Sequence, residues 1–306
     1  MSRDFTPGDL ENLREQSSSP RSPAPRTDAR QPEERAIPRQ EPITGASRES
    51  APDPRIPDPR FYDRPHLRAG RDRDYSLRQY EEYALAEIGR FRIVAKDDLS
   101  AFLYEGHRDE MARDLWNLKR QSLIQSRTFE GSDGRPREML ALTKSGYRLL
   151  RAARALPEKQ TAYYGFVKLK EANHDADIYR VYRDERARIS REGGTKLRVI
   201  LDFELKKRLN RDFATFGAES REQIAARHGL RVVNGKIPVP DLRIEYETRE
   251  GDLGRVDLEL ATEHYRPRQL AEKARAGFSI YTHAGEADRL RRVLEQRELT
   301  AEILTL

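Results

Sequence analysis

Asp241, Asp257 and Glu259 are the residues of this chain whose types and spacing best suit chemistry. Pro238-Val239-Pro240-Asp241 leads into the alternating run Leu242 to Tyr246, a glycine-bearing turn covers 251 to 254, and a second run extends from Val256 to Ala261. Side chains alternate faces along a strand, so Val256, Leu258 and Leu260 are expected to face a core while Asp257 and Glu259 share the other side. With Asp241 at the start of the neighbouring strand, the three carboxylates are expected to converge. Mg²⁺ suits such a set, because it prefers oxygen ligands in an octahedron and keeps several waters. Held there, it would activate water and stabilise the charge on a phosphodiester. The alternative reading is a solvated sheet face whose carboxylates pair with Arg243, Arg255 and Arg266.

A second set of polar residues lies upstream. Between 108 and 154 eleven Lys and Arg stand against six Asp and Glu, an excess that favours a polyanion, with a plainly solvated surface as the alternative. In the run Arg108 to Gln121, Met111, Leu115 and Leu118 form the inward side of a helix. At 100° per residue Arg113, Trp116, Asn117 and Arg120 fall opposite. Arg pairs bidentately with guanine and Asn with adenine, so Arg113, Asn117 and Arg120 are expected to read bases in a major groove. Arg127, Arg135 and Arg137 decorate the following alternating segments and suit phosphate or minor-groove contact.

The elements that would position these residues follow from periodicity. Leu77, Tyr80, Ala84, Leu85 and Ile88 mark a first helix closed by Gly89. A short second helix covers about 96 to 104, with Asp97 and Asp98 suited to its N-terminal dipole, and Gly106 makes the turn into the third. Leu123 to Phe129 and Glu138 to Leu142 read as strands around Gly131-Ser132-Asp133-Gly134, and Thr143 caps a further helix. Helix, helix, helix, hairpin and helix is the order of a winged helix-turn-helix. The run Leu140 to Leu150 resembles the wing-to-helix junction of MarR- and PadR-like regulators. Protein contact or dimerisation through the same module is the alternative to DNA binding.

From Ala155 to Lys170 the pattern loosens, which predicts a linker. Beyond it the order is a helix over 174 to 192 closed by Gly193-Gly194, a strand at 197 to 201, and a helix at 203 to 210. Another helix falls near 219 to 228, and the two acidic strands follow. Then come a helix at 267 to 276, a strand at 278 to 281, a helix at 286 to 296 and a strand at 301 to 306. That order with its motif resembles the PD-(D/E)xK nuclease fold. The resemblance matches Asp241 to the Asp of the Pro-Asp pair and Asp257 to the second acidic position. Glu259 stands where the family usually has Lys; either Glu serves there, as in some restriction endonucleases, or Lys273 on the next helix supplies the cation.

The expected fold class is therefore α+β or α/β. Residues 1–73 form a disordered tail, 74–155 a winged helix-turn-helix domain, 156–170 a linker and 171–306 a mixed-sheet, restriction-endonuclease-like domain. The tail expectation rests on composition: twelve of the 17 prolines lie between Pro7 and Pro65, with few aromatic or β-branched residues to offset chain entropy. The absence of Cys excludes disulfides, thiolate metal sites and Cys nucleophiles. No apolar run resembles a signal peptide's core or a bilayer span, so a cytoplasmic protein without membrane partners is expected. His174, His228, His264 and His283 lack zinc-site spacing, and Asn173-His174-Asp175 reads as a helix cap. No phosphate loop or dinucleotide glycine pattern is present, and no coiled-coil seam sets an oligomeric state.

A helical module of this kind, a helix beginning near His174, Pro-Asp, an acidic strand and a Lys-bearing helix together resemble the replication-relaxation family over about 75 to 282. The resemblance implies a double-stranded-DNA-binding accessory factor of plasmid or mobile-element replication or mobilisation. Replication or relaxase proteins would be its partners, and its nuclease-like domain would lack activity. A Mg²⁺-dependent DNA endonuclease and a winged-helix transcriptional regulator are the rival readings.

Overall fold

A computed structural model describes residues 63–306, except 71–72, 132–133, 158, 167, 169–170, 217–219 and 263–264. Most of the expected tail, the Ser132-Asp133 turn and His264 lie outside the described residues. The chain is a mixed α+β protein. No described helix is long and apolar enough to cross a membrane.

Order begins earlier than the proline count suggested. β1 (His66–Ala69) and β2 (Asp74–Leu77) pair antiparallel, so 63–73 is not wholly tail. The hairpin is held by Arg68, which ion-pairs with Glu82, and by Asp63, whose Oδ2 accepts from the Gln79 amide at 2.8 Å. Short strands with one β-branched or aromatic residue between them leave little compositional trace.

The amphipathic helices form where periodicity placed them. α1 (Gln79–Arg90), α2 (Lys96–Phe102) and α3 (Arg108–Arg120) bury Tyr80, Ala84, Leu85, Ile88, Leu99, Met111, Leu115 and Leu118. Gly89 does not end α1. It lies inside the helix where a Cβ would come 2.4 Å from Leu150, so glycine permits close packing there instead. β3 (Val94–Ala95), β5 (Pro136–Leu142) and β4 (Ile124–Glu130) make a three-stranded antiparallel sheet in that spatial order. The Thr143 hydroxyl accepts from the Gly146 amide at 3.1 Å and starts α4 (Lys144–Ala152).

The remaining strands are β6 (Thr195–Leu201), β7 (Leu242–Glu247), β8 (Leu253–Ala261), β9 (Ser279–Thr282) and β10 (Ile303–Thr305), in the order β10-β9-β8-β7-β6. β6, β7 and β8 are antiparallel, while β8, β9 and β10 are parallel. Parallel neighbours need crossovers, which α8 (Pro267–Ala276) and α9 (Ala287–Glu295) supply. These two cover one face through Ala261, Leu270, Ala274, Ile280, Leu290 and Leu294. α5 (Ala172–Arg191) covers the other, and α6 (Asp202–Thr215) packs with α7 (Arg221–Arg227) beside them.

One hydrophobic cluster runs from Leu85, Leu99 and Leu118 through Tyr179 and Tyr182 to Val199, Ile244 and Leu258. The segment expected to be a linker is fixed to it. The Tyr163 amide donates to the Gly89 carbonyl and the Gly165 amide to the Leu142 carbonyl, each at 2.8 Å, while Leu156 and Ala162 pack on the core. Absence of periodicity reflects an irregular backbone here, not a free one.

Gly146 offers a stability test. A Cβ there would lie 2.1 Å from the Leu123 carbonyl oxygen, backbone that cannot swing aside. Gly146→Ala is expected to destabilise by about 1–3 kcal/mol, visible as a lower Tm in thermal circular dichroism. An unchanged Tm would contradict the close approach of α4 to Leu123.

Candidate functional site

Asp241 precedes β7 and Glu259 lies in β8, and the pairing of Leu242 with Leu258 brings their neighbours to the same end of the sheet. Asp241 Oδ2 accepts the Leu260 amide at 3.0 Å and lies 3.4 Å from His174 Nε2 on α5. Glu259 is buried and receives Lys273 Nζ at 2.7 Å, together with the Tyr265 hydroxyl. Lys273 also donates to the Val239 carbonyl at 2.7 Å. Lys273 thus reaches back from the first crossover helix, as its place in the sequence suggested.

Asp257 does not join them. It shares the Glu259 face but sits directly across from Arg243, which grips it with two bonds of 2.6 and 2.8 Å and donates a third to the His228 carbonyl at 2.5 Å. The expected three-carboxylate metal set is therefore not assembled; pairing with Arg243, the alternative weighed for these carboxylates, is what Asp257 does. The acid that faces Asp241 is Glu259. Mg²⁺ does not fit the donors present, since Asp241 is met by His174 and Glu259 by Lys273. Among the described residues no three His, Cys, Asp or Glu side chains gather to hold an ion.

The four groups set each other's charge. Burial pushes the Glu259 carboxyl up to about 7, the Asp241 charge adds to this, and Lys273 and Tyr265 only partly offset it. Burial disfavours His174 protonation, but hydrogen bonds to Asp175 and Asp241 outweigh it and raise the imidazole to about 10. Burial would raise Asp241 too, yet His174, Lys273 and the Leu260 amide hold it below the usual carboxylate range. An imidazolium–carboxylate pair thus adjoins a carboxyl poised near neutrality. His174 does not cap a helix, because α5 starts at Ala172 and the imidazole points to Asp241. Sequence spacing gave no sign of that contact.

The basic set divides as well. Arg120 and Trp116 lie on the exposed face of α3, with the guanidinium 4.9 Å above the indole ring. Arg127 and Arg135 are exposed on the β4–β5 hairpin. The other three expected contacts are engaged internally. Asn117 donates to Glu81 at 2.8 Å and to the Ser76 carbonyl at 3.3 Å, so its amide faces β2. Arg113 is half-buried against Asp114 at 3.2 Å, and Arg137 bridges Asp177 at 3.1 Å and Asp98 at 3.3 Å. The cause is buried acid: Glu81 takes Arg78 and the Asn117 amide, Asp114 takes Arg78 and Arg113, and Asp98 and Asp177 take Arg137.

No protein-family model, no curated protein and no solved structure matches this chain.

The titration of Glu259 has a defined sign. Its folded value of about 7 lies above its ordinary 4.5, so the stabilisation tied to its protonation is complete below about 4.5 and is lost as pH rises through about 7. Thermal melts across that range are expected to show a falling Tm whose slope is reduced in Glu259→Gln. Parallel pH profiles for the two proteins would contradict the assignment.

Proposed function

We propose that this chain is a DNA-binding accessory protein that holds a duplex on the outward face of α3 and on the β4–β5 hairpin. One observation carries the reading. Trp116, the only tryptophan in the sequence, is 62% exposed in the middle of α3 and lies beneath Arg120. The indole and the guanidinium stacked on it make a flat aromatic and cationic patch on the outward side of α3, which suits a contact surface. The stacked guanidinium keeps its planar fork of donors free to meet a guanine edge or a phosphate. Arg127 and Arg135 on the hairpin supply further cations for the backbone.

These elements have the order of a winged helix-turn-helix, in which the helix after the turn enters the major groove. The groove contacts would be Trp116 and Arg120 rather than Arg113 and Asn117. The setting we propose is the one the family resemblance implies: replication or mobilisation of a plasmid or other mobile element, beside replication or relaxase proteins. The sheet domain would act as a non-cutting partner. The neutralising pairs Asp241–His174 and Glu259–Lys273 support this, since they satisfy both carboxylates without a metal.

A second reading, DNA cleavage, is favoured by the convergence of Asp241, Glu259 and Lys273 at one sheet end. Supercoiled plasmid incubated with the protein and Mg²⁺ or Mn²⁺ separates the two. The binding reading expects intact plasmid; nicking that disappears in Glu259→Gln would establish cleavage.

Duplex affinity is expected to fall as salt rises, through phosphate contacts. Trp116→Ala or Arg120→Ala should weaken it about tenfold, the scale of one lost base contact. Fluorescence anisotropy with a labelled duplex pool measures both. Affinity that ignores both substitutions, or no salt-sensitive duplex affinity at all, would overturn the proposal.

A further inference from the structure

Between α4, the segment 161–166 and the start of α6 runs an open groove of about 510 Å³. Its walls are aromatic: Tyr147, Tyr163, Tyr164, Phe166 and Phe203 all line it, and none is fully buried. Tyr164 is 50% exposed and leans on Tyr147 at a centroid distance of 5.0 Å, while Tyr163 meets Phe203 edge-on at 4.8 Å. Tyr147, Tyr163 and Phe203 also pack on the core, so Tyr164, the exposed ring, is the platform that stands open along the channel.

Cations border the same rings. Arg92 lies 5.2 Å above Phe203, Arg127 4.8 Å above Phe166 and Arg151 5.9 Å from Tyr147. Arg92 is neutralised by Glu171 and Asp175. Among the described residues Arg127 and Arg151 have no carboxylate at ion-pair distance, and the acid nearest the rings, Glu204, is taken up by Tyr163, Arg198 and Arg208. The groove thus combines π-faces with unneutralised guanidinia on its rim. That combination suits successive flat bases joined by phosphates, because stacking accepts any base and the cations follow the backbone. A Pro-rich segment would also find rings here, but residues 1–62 carry ten Arg against eleven Asp and Glu, a near balance that offers the cationic rim far less negative charge than a strand with a phosphate at every nucleotide.

We infer that this groove binds single-stranded DNA. Arg92 and Phe203 also line the recess that holds His174 and Asp241, so a strand in the groove would end beside that imidazole–carboxylate pair. A surface for unpaired strand lies close to the duplex face, since Arg127 belongs to the hairpin that borders both. The inference shares Arg127 with the duplex reading and otherwise rests on the groove's own residues.

Full-length protein titrated into labelled oligothymidylate of about 15 nucleotides, a length within the site sizes of such grooves, provides the test. Tyr164 is exposed, so its replacement leaves the core intact. Tyr164→Ala and Arg151→Ala are each expected to weaken the oligonucleotide about tenfold while duplex affinity changes little, and Tyr164→Phe should retain binding by keeping the ring. Trp116→Ala should show the reverse pattern. Oligothymidylate affinity that is absent, or insensitive to both groove substitutions, would overturn the inference whether or not duplex is bound. So would tighter binding of oligouridylate in the same groove, which would assign it to RNA.

Discussion

Burial of α5 on two sides at once is the constraint on which the rest of the structure depends. One side meets the helical module: Phe91 packs edge-on to Tyr179 at 5.1 Å, and the fully enclosed Arg90 donates to the Tyr182 hydroxyl at 3.0 Å. The other side meets the five-stranded sheet, where the Tyr281 hydroxyl donates to the buried Glu185 at 3.0 Å. Polar groups enclosed in this way cost several kcal/mol unless partnered. The partners come from both modules, so neither can shift without breaking a buried hydrogen bond to a charged group. Burial would raise Glu87, but Arg90, Arg183 and Arg186 reverse the effect and hold it below the usual range. The same enclosure gives α5 the rigidity to present His174 to Asp241.

That arrangement decides which cations remain for a ligand. Glu81, Asp98, Asp114 and Asp177 are buried acids at the contacts of α1, α2, α3 and α5. They consume Arg78, Arg113, Asn117 and Arg137. Among the cations that face outward are Arg120 beside Trp116, Arg127 on the hairpin, and Lys144 and Arg151 on α4. A basic composition is thus divided by packing into structural and available charge, and the proposed functions use only the second. The carboxylates at the sheet end follow the same rule: each has a cation of its own chain, and Asp257 is withdrawn by a cross-strand arginine.

Periodicity made much of this fold legible. Helix α8 begins and ends where its pattern does, and most of the other elements agree with expectation to within a few residues, because their apolar positions repeat at 3.6 or 2 residues and their caps are ordinary. The alternation of β8 correctly set Leu258 and Leu260 against Glu259. What periodicity could not supply was the cross-strand register that pairs Arg243 with Asp257, the buried acids that engage Arg113, Asn117 and Arg137, and the contact of His174 with Asp241. Each depends on residues distant in sequence. The β1–β2 hairpin was missed for a different reason: it is too short for a pattern and adjoins a proline-rich stretch.

By packing into the same core, α5 joins α3 and the Asp241–Glu259 site into one cooperative body. Native-state hydrogen exchange in low denaturant tests it most directly, by comparing the slowest amides of α3 with those of β7 and β8. One shared opening free energy and one denaturant dependence for both sets is the result this account requires. If α3 opens at markedly lower free energy while β7 and β8 stay protected, the modules are independent and the claim is wrong.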